Sequence, residues 1–176
     1  AIEYEIQKSI FQMSDDIINT YKSNAVHDIL GDHNHHPHES VTGKNISIKT
    51  TVRGDIDCGD ILRFLSSEGT SMICVIMKQI DSTKKVAEQT LYFSVDELLT
   101  MFWSDITKKN HCETKELYIQ KIKEYVNMVR EPQRHCVKDL SISKDIYETD
   151  YFKIRPKPSQ NRVQCSLRIN QLHTLS

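Results

Sequence analysis

The chain has 176 residues, 27% of them charged and 38% hydrophobic, with a formal charge of −1. These values suit a single globular domain spanning 1–176 and give no global basic signal, so nucleic-acid binding would have to rest on a local basic surface. The five cysteines (Cys58, Cys74, Cys112, Cys136, Cys165) are odd in number, spread out and free of C-x-x-C. That excludes a disulfide scaffold or a zinc ribbon and leads us to expect a reducing, cytoplasmic compartment. No apolar run approaches the length of a membrane span, and none reads as a signal peptide, so no membrane partner is expected.

Residues 2 to about 30 read as helix, with Ile2, Ile6, Ile10, Phe11, Met13, Ile17, Ile18 and Tyr21 at three- and four-residue spacing. Ser14-Asp15-Asp16 offers a cap that would split this stretch in two. Residues 31–38, GDHNHHPH, gather His33, His35, His36 and His38 beside Asp32. Imidazole is the commonest metal ligand, yet Gly31 and Pro37 equally mark a polar loop that ends a helix. Thr42-Gly43-Lys44-Asn45 predicts a turn, and Ile46-Ser47-Ile48-Lys49 alternates like a strand, so that 39–53 reads as a hairpin.

Asp57 to Asp60 resembles a helix start, with Asp57 as cap and Asp60 in the first turn before Ile61 to Leu65. Residues 71–80, SMICVIMKQI, have the β-branched, apolar character of a buried central strand. Thr90 to Phe93 predicts another strand. Ser94-Val95-Asp96-Glu97 has the capping-box pattern for a helix carrying Leu98, Leu99, Met101, Phe102 and Trp103. Residues 113–130 form the clearest helical stripe, and Pro132 stops it. Leu140 to Ile142, Tyr151 to Ile154 and Val163 to Ile169 predict strands. The order implies an α/β fold, a mixed β-sheet core flanked by helices. Lys153, Arg155, Lys157 and Arg162 surround Pro156 and Pro158, a local basic patch that the net charge hides. Such cations reach phosphates, or they keep an edge strand soluble.

The stretch Glu39 to Asp60 carries the chemistry. Ile46 and Ile48 face one way along a strand, and Ser47 and Lys49 the other. Carboxylates near such a lysine can hold Mg²⁺, which polarises a phosphate while the lysine orients a water or offsets charge. An ordinary amphipathic strand has the same alternation, and a helix cap accounts for Asp60 equally well.

The stretch resembles the active site of PD-(D/E)XK nucleases, the restriction-endonuclease-like fold. The family pattern is an acid, a variable gap, and then acid-x-Lys on a strand. Glu39 fits the first acid and Lys49 the lysine, while Ser47 stands where the second acid is usual. One branch of type II restriction endonucleases has Ser-x-Lys with the acid displaced to the following helix, where Asp60 lies. Asp55 and Asp57 compete for that displaced acid, and Asp32 or Asp28 for the first.

The resemblance implies a restriction-endonuclease-like fold and a Mg²⁺-dependent double-stranded DNA endonuclease acting as a homodimer. Glu39 and Asp60 would bind metal, Lys49 would position water, and Ser47 would line the site. Arg53, Thr50, Thr51, Lys157, Arg162 and Gln164 would contact DNA. Two other classes are a non-catalytic DNA- or protein-binding module on the same fold, and a hydrolase using the His33–His38 cluster with a transition metal.

Overall fold

A computed structural model describes residues 2–21, 27–37, 41–52, 54–108, 114–130 and 149–169. In chain order its elements are α1 (Ile2–Ser9), α2 (Asp15–Ile18), β1 (Ile46–Thr51), β2 (Asp55–Asp60), α3 (Ile61–Leu65), β3 (Ser71–Gln79), β4 (Lys85–Ser94), α4 (Val95–Lys108), α5 (Lys115–Arg130), β5 (Phe152–Lys157) and β6 (Arg162–Arg168). The protein is mixed α/β, but it has two three-stranded sheets where the sequence suggests one. Two compact units result, Ala1–Val52 with Gly69–Asp96, and Arg53–Glu68 with Glu97–Ser176.

The first unit is built on a mixed sheet of order β1-β3-β4, with β1 parallel to β3 and β4 antiparallel to it. The apolar run expected to be a central strand is one: β3 lies between the other two strands, and Met72 through Val75 are buried. Ile46 and Ile48 of β1 alternate inward and join Ile73, Val75 and Met77 in a core with Ile6, Phe11 and Met13. β4 is longer than the Thr90–Phe93 strand suggested by its sequence, beginning at Lys85.

The N-terminal stretch divides at the cap that Ser14 offers, and the helix expected to reach about residue 30 is the first correction. Gln12 adopts a left-handed conformation (φ 53°), and Ser14 then caps a new helix by accepting a hydrogen bond from the Ile17 N–H at 3.3 Å. Nor is the end of that stretch helical. Ile29 is fully buried in an antiparallel bridge to Ile46, with N–H to carbonyl bonds of 3.0 and 2.8 Å running both ways. Among the described residues this bridge is what precedes β1 in pairing, so no full hairpin strand is seen there.

The second unit holds an antiparallel sheet of order β2-β6-β5. Gly54, with φ 77°, lies between β1 and β2, in a backbone region open chiefly to glycine. The expected cap at Asp57 is the second correction, because 55–60 is a strand and Asp60 itself is the N-cap of α3. Asp57 instead accepts from the Gly59 N–H at 2.7 Å. Helix α5 presents Tyr118, Ile122, Tyr125, Val126 and Val129 as its buried stripe, as the spacing predicts. The strand suggested at Leu140 to Ile142 lies outside the described residues.

Phe102 anchors this unit's aromatic core. Its ring sits 5.3 Å from Phe152, 5.5 Å from Tyr118 and 5.2 Å from Trp103, each at a steep edge-on angle. Because Phe102 is fully buried, Phe102→Ala should lower stability by about 3–5 kcal/mol in denaturant titration. A loss under about 1 kcal/mol would mean that this ring cluster is not the unit's core.

Candidate active site

The turn before β1 sets up the site. Asn34 is buried, and its amide donates to the Val41 and Lys44 carbonyls at 2.6 and 3.0 Å. The Asn45 side chain accepts from the Gly31 N–H at 2.7 Å. A Cβ at Gly31 would collide with the Gly43 carbonyl, so only glycine permits this approach. These contacts staple residues 29–34 to the turn and hold Asp28 beside β1.

Asp28 is the centre of the constellation. Its carboxylate accepts from the Ile48 N–H at 2.7 Å, doing for β1 what a neighbouring strand's carbonyl would do. Two residues of α1, one helical turn apart, meet Asp28. Gln7 is buried and donates to its backbone carbonyl at 2.8 Å, and the exposed Glu3 carboxyl lies within electrostatic reach of its carboxylate. Antiparallel pairing of Ile29 with Ile46 brings Asp28 alongside Ser47, on the face that Ser47 shares with Lys49.

The electrostatics follow from this crowding. Partial desolvation, then the nearby Asp28 charge, raise the Glu3 carboxyl above its ordinary value, while nearby positive charge, that of Lys49 included, pulls the other way. Lys49 is half-buried and pairs in register with Cys74 of β3, whose thiol burial pushes up to about 11. That thiol is protonated at neutral pH, so the carboxylates are the anions left for the lysine.

The other expected residues are distributed as follows. Glu39 and Arg53 lie outside the described residues. Thr50 is exposed and Thr51 half-buried on β1. Asp60 belongs to the second unit, where one carboxylate oxygen caps α3 by accepting from the Leu62 and Arg63 N–H groups at 2.9 and 3.2 Å. Its rivals are engaged there too: Asp55 with Lys153 at 2.9 Å and Asp57 with Arg162 at 3.7 Å. Lys157, Arg162 and Gln164 also lie in that unit, on β5 and β6. Asp32 is exposed in a 3₁₀ turn.

His33 and His36 are occupied in packing, and His35 is exposed. His33 stacks on Tyr21, whose hydroxyl lies 2.7 Å from its Nδ1, and His36 tilts against Phe11 and Tyr92. His38 is outside the described residues. Among the described residues, no three His, Cys, Asp or Glu side chains form a metal cage. Glu3 and Asp28 form a pair, and Mg²⁺ is commonly held by one or two carboxylates with water and substrate phosphate filling its shell. The donor set therefore fits Mg²⁺, and the raised Glu3 carboxyl marks an anion pair that a cation would relieve.

Comparison with protein-family models, with curated proteins and with solved structures finds no match to this chain. Among the described residues, no helix is long and apolar enough to cross a membrane.

Because its carboxyl is raised, Glu3 favours the fold when protonated. That contribution is full below the ordinary value of 4.5 and is lost as pH rises through the raised value. Glu3→Gln should therefore melt above the wild-type protein at pH 7, the difference disappearing below about pH 4. A variant that melts lower at pH 7 would contradict the crowded-carboxylate reading.

Proposed function

We propose that the chain is a Mg²⁺-dependent endonuclease of the PD-(D/E)XK type, with a restriction-endonuclease-like first unit, hydrolysing phosphodiester bonds of double-stranded DNA. The observation that carries this is Asp28, fastened to β1 by the Ile48 N–H at 2.7 Å on the face of Ser47 and Lys49, with the Glu3 carboxyl within electrostatic reach of both Asp28 and Lys49. In this reading Asp28 supplies the first acid in place of Glu39. Glu3, from α1, supplies the second carboxylate that Ser47 lacks, so Asp60 is free to serve as a helix cap. Glu3 and Asp28 would hold Mg²⁺, which supplies phosphate polarisation and acidification of a water.

The chain's own groups do the rest. Lys49 carries three donors and a compact charge on a rigid strand, suited to orienting an attacking water and offsetting charge on the phosphate. Ser47 lines the same face as a neutral hydrogen-bonding group. Thr50 and Thr51 continue β1 with hydroxyls suited to the DNA backbone. A homodimer would place two such sites on the two strands of a symmetric sequence.

The test is cleavage of mixed-sequence duplex DNA with Mg²⁺ or EDTA. Asp28→Asn and Lys49→Ala should each lower Mg²⁺-dependent cleavage by about 100-fold or more, while Asp60→Asn should retain activity after correction for stability. Cleavage that survives both Asp28→Asn and Lys49→Ala would place the chemistry elsewhere in the chain.

A further inference from the structure

The sheet of the second unit has one apolar face and one charged face. Along β6, Val163, Cys165 and Leu167 are buried and alternate with Arg162, Gln164, Ser166 and Arg168. Antiparallel register fixes what lies beside them on the same face. Lys153, Arg155 and Lys157 of β5 oppose Ser166, Gln164 and Arg162, while Asp55, Asp57 and Asp60 of β2 oppose Arg168, Ser166 and Gln164. Five cations and three carboxylates thus share a single face.

The acids do not neutralise this face evenly. Asp55 holds Lys153, Asp57 holds Arg162, and Asp60 is turned to its helix cap. Arg155, Lys157 and Arg168 have no ion pair among the described residues. The Nε atoms of Arg162 and Arg168 are buried and have no hydrogen-bond partner among the described residues.

Edge protection accounts for cations and a proline on β5, which is an edge strand. It does not account for two arginines on β6, which is the central strand and has no free edge.

We propose that this face is a nucleic-acid backbone site, in which Arg155, Lys157 and Arg168 grip the phosphates of a duplex while Asp55 and Asp57 hold Lys153 and Arg162 in place. No strand residue of the face is aromatic, so it lacks the stacking platform that single-strand-binding sheets use. Arginine, lysine, glutamine and serine side chains on a sheet suit phosphate oxygens instead. The site rests on the nuclease reading only for the choice of DNA, and it works without metal and without Asp28 or Lys49.

Fluorescence anisotropy with a labelled mixed-sequence DNA duplex, in EDTA and over a salt series, tests this. Wild-type protein should bind with an affinity that falls as salt rises. The triple variant Arg155→Ala, Lys157→Ala, Arg168→Ala should bind at least about tenfold more weakly, and each cation removed should lower the salt slope by about one. Asp57→Asn, which removes a compensating charge, should bind more tightly. A triple variant that keeps the wild-type melting temperature and binds like wild type would overturn the proposal, as would tighter binding of a single strand of the same length. If the triple variant fails to fold, Arg155→Glu, at an exposed position, takes its place: weaker binding supports the site and unchanged binding overturns it. Metal-free binding together with no cleavage when Mg²⁺ is added would remove the nuclease reading and leave this site standing.

Discussion

The hydrogen bond from the Ile48 N–H to the Asp28 carboxylate is the interaction on which the candidate site depends. It joins a side chain to a strand backbone at the point where β1 has only a single bridge beside it. A backbone N–H left unpaired there would cost about as much as a lost hydrogen bond, so the strand itself requires Asp28 in place. A carboxylate acceptor makes such a bond strong and its geometry definite. Gln7 fixes the same residue through its backbone carbonyl. An acid fastened to strand and helix in this way is preorganised in the sense that catalysis needs, because its position does not have to be found when substrate arrives.

Glu3 has the opposite character. It is carried by the same helix as Gln7, yet partial desolvation, with the Asp28 charge nearby, raises its carboxyl, an arrangement that works against stability at neutral pH. Unfavourable carboxylate pairs are a recurrent mark of functional sites, although structural networks also produce them. Here the neighbouring Lys49 only partly compensates, and the thiol opposite it in register stays protonated. In the second unit, by contrast, Asp55 and Asp57 are matched by Lys153 and Arg162. Carboxylates there are spent on structure, and the excess charge on the sheet is positive.

Much of this is legible in the residues. The alternation Ile46-Ser47-Ile48-Lys49, the apolar run of β3, the stripe of α5 and the alternation of β6 all appear where their periods put them, because each follows from local burial. What is not legible depends on distant partners. Residues 27–30 continue a helical pattern, but Ile29 is taken by an antiparallel bridge to Ile46. Asp57 has the composition of a helix cap, but pairing with β6 extends the strand and passes the cap to Asp60. The division into two sheets cannot be read either, since β2 takes its partner from the far end of the chain. Within the site, Lys49 and Ser47 are visible from their spacing. Glu39 lies nearer to them in sequence and so looks the better first acid, whereas Asp28 reaches β1 only through the Asn34 and Asn45 staples. Glu3 and Gln7 give no signal of a role, because polar residues on an amphipathic helix look like any solvated ones.

The proposed divalent-cation site at Glu3 and Asp28 is tested most directly by titration calorimetry with Mn²⁺ at pH 7, without nucleic acid. Saturable binding near one ion per chain is expected, with the heat lost in Asp28→Asn. No saturable heat in the wild-type protein, or a heat unchanged in Asp28→Asn, would contradict the assignment of this pair as the metal site.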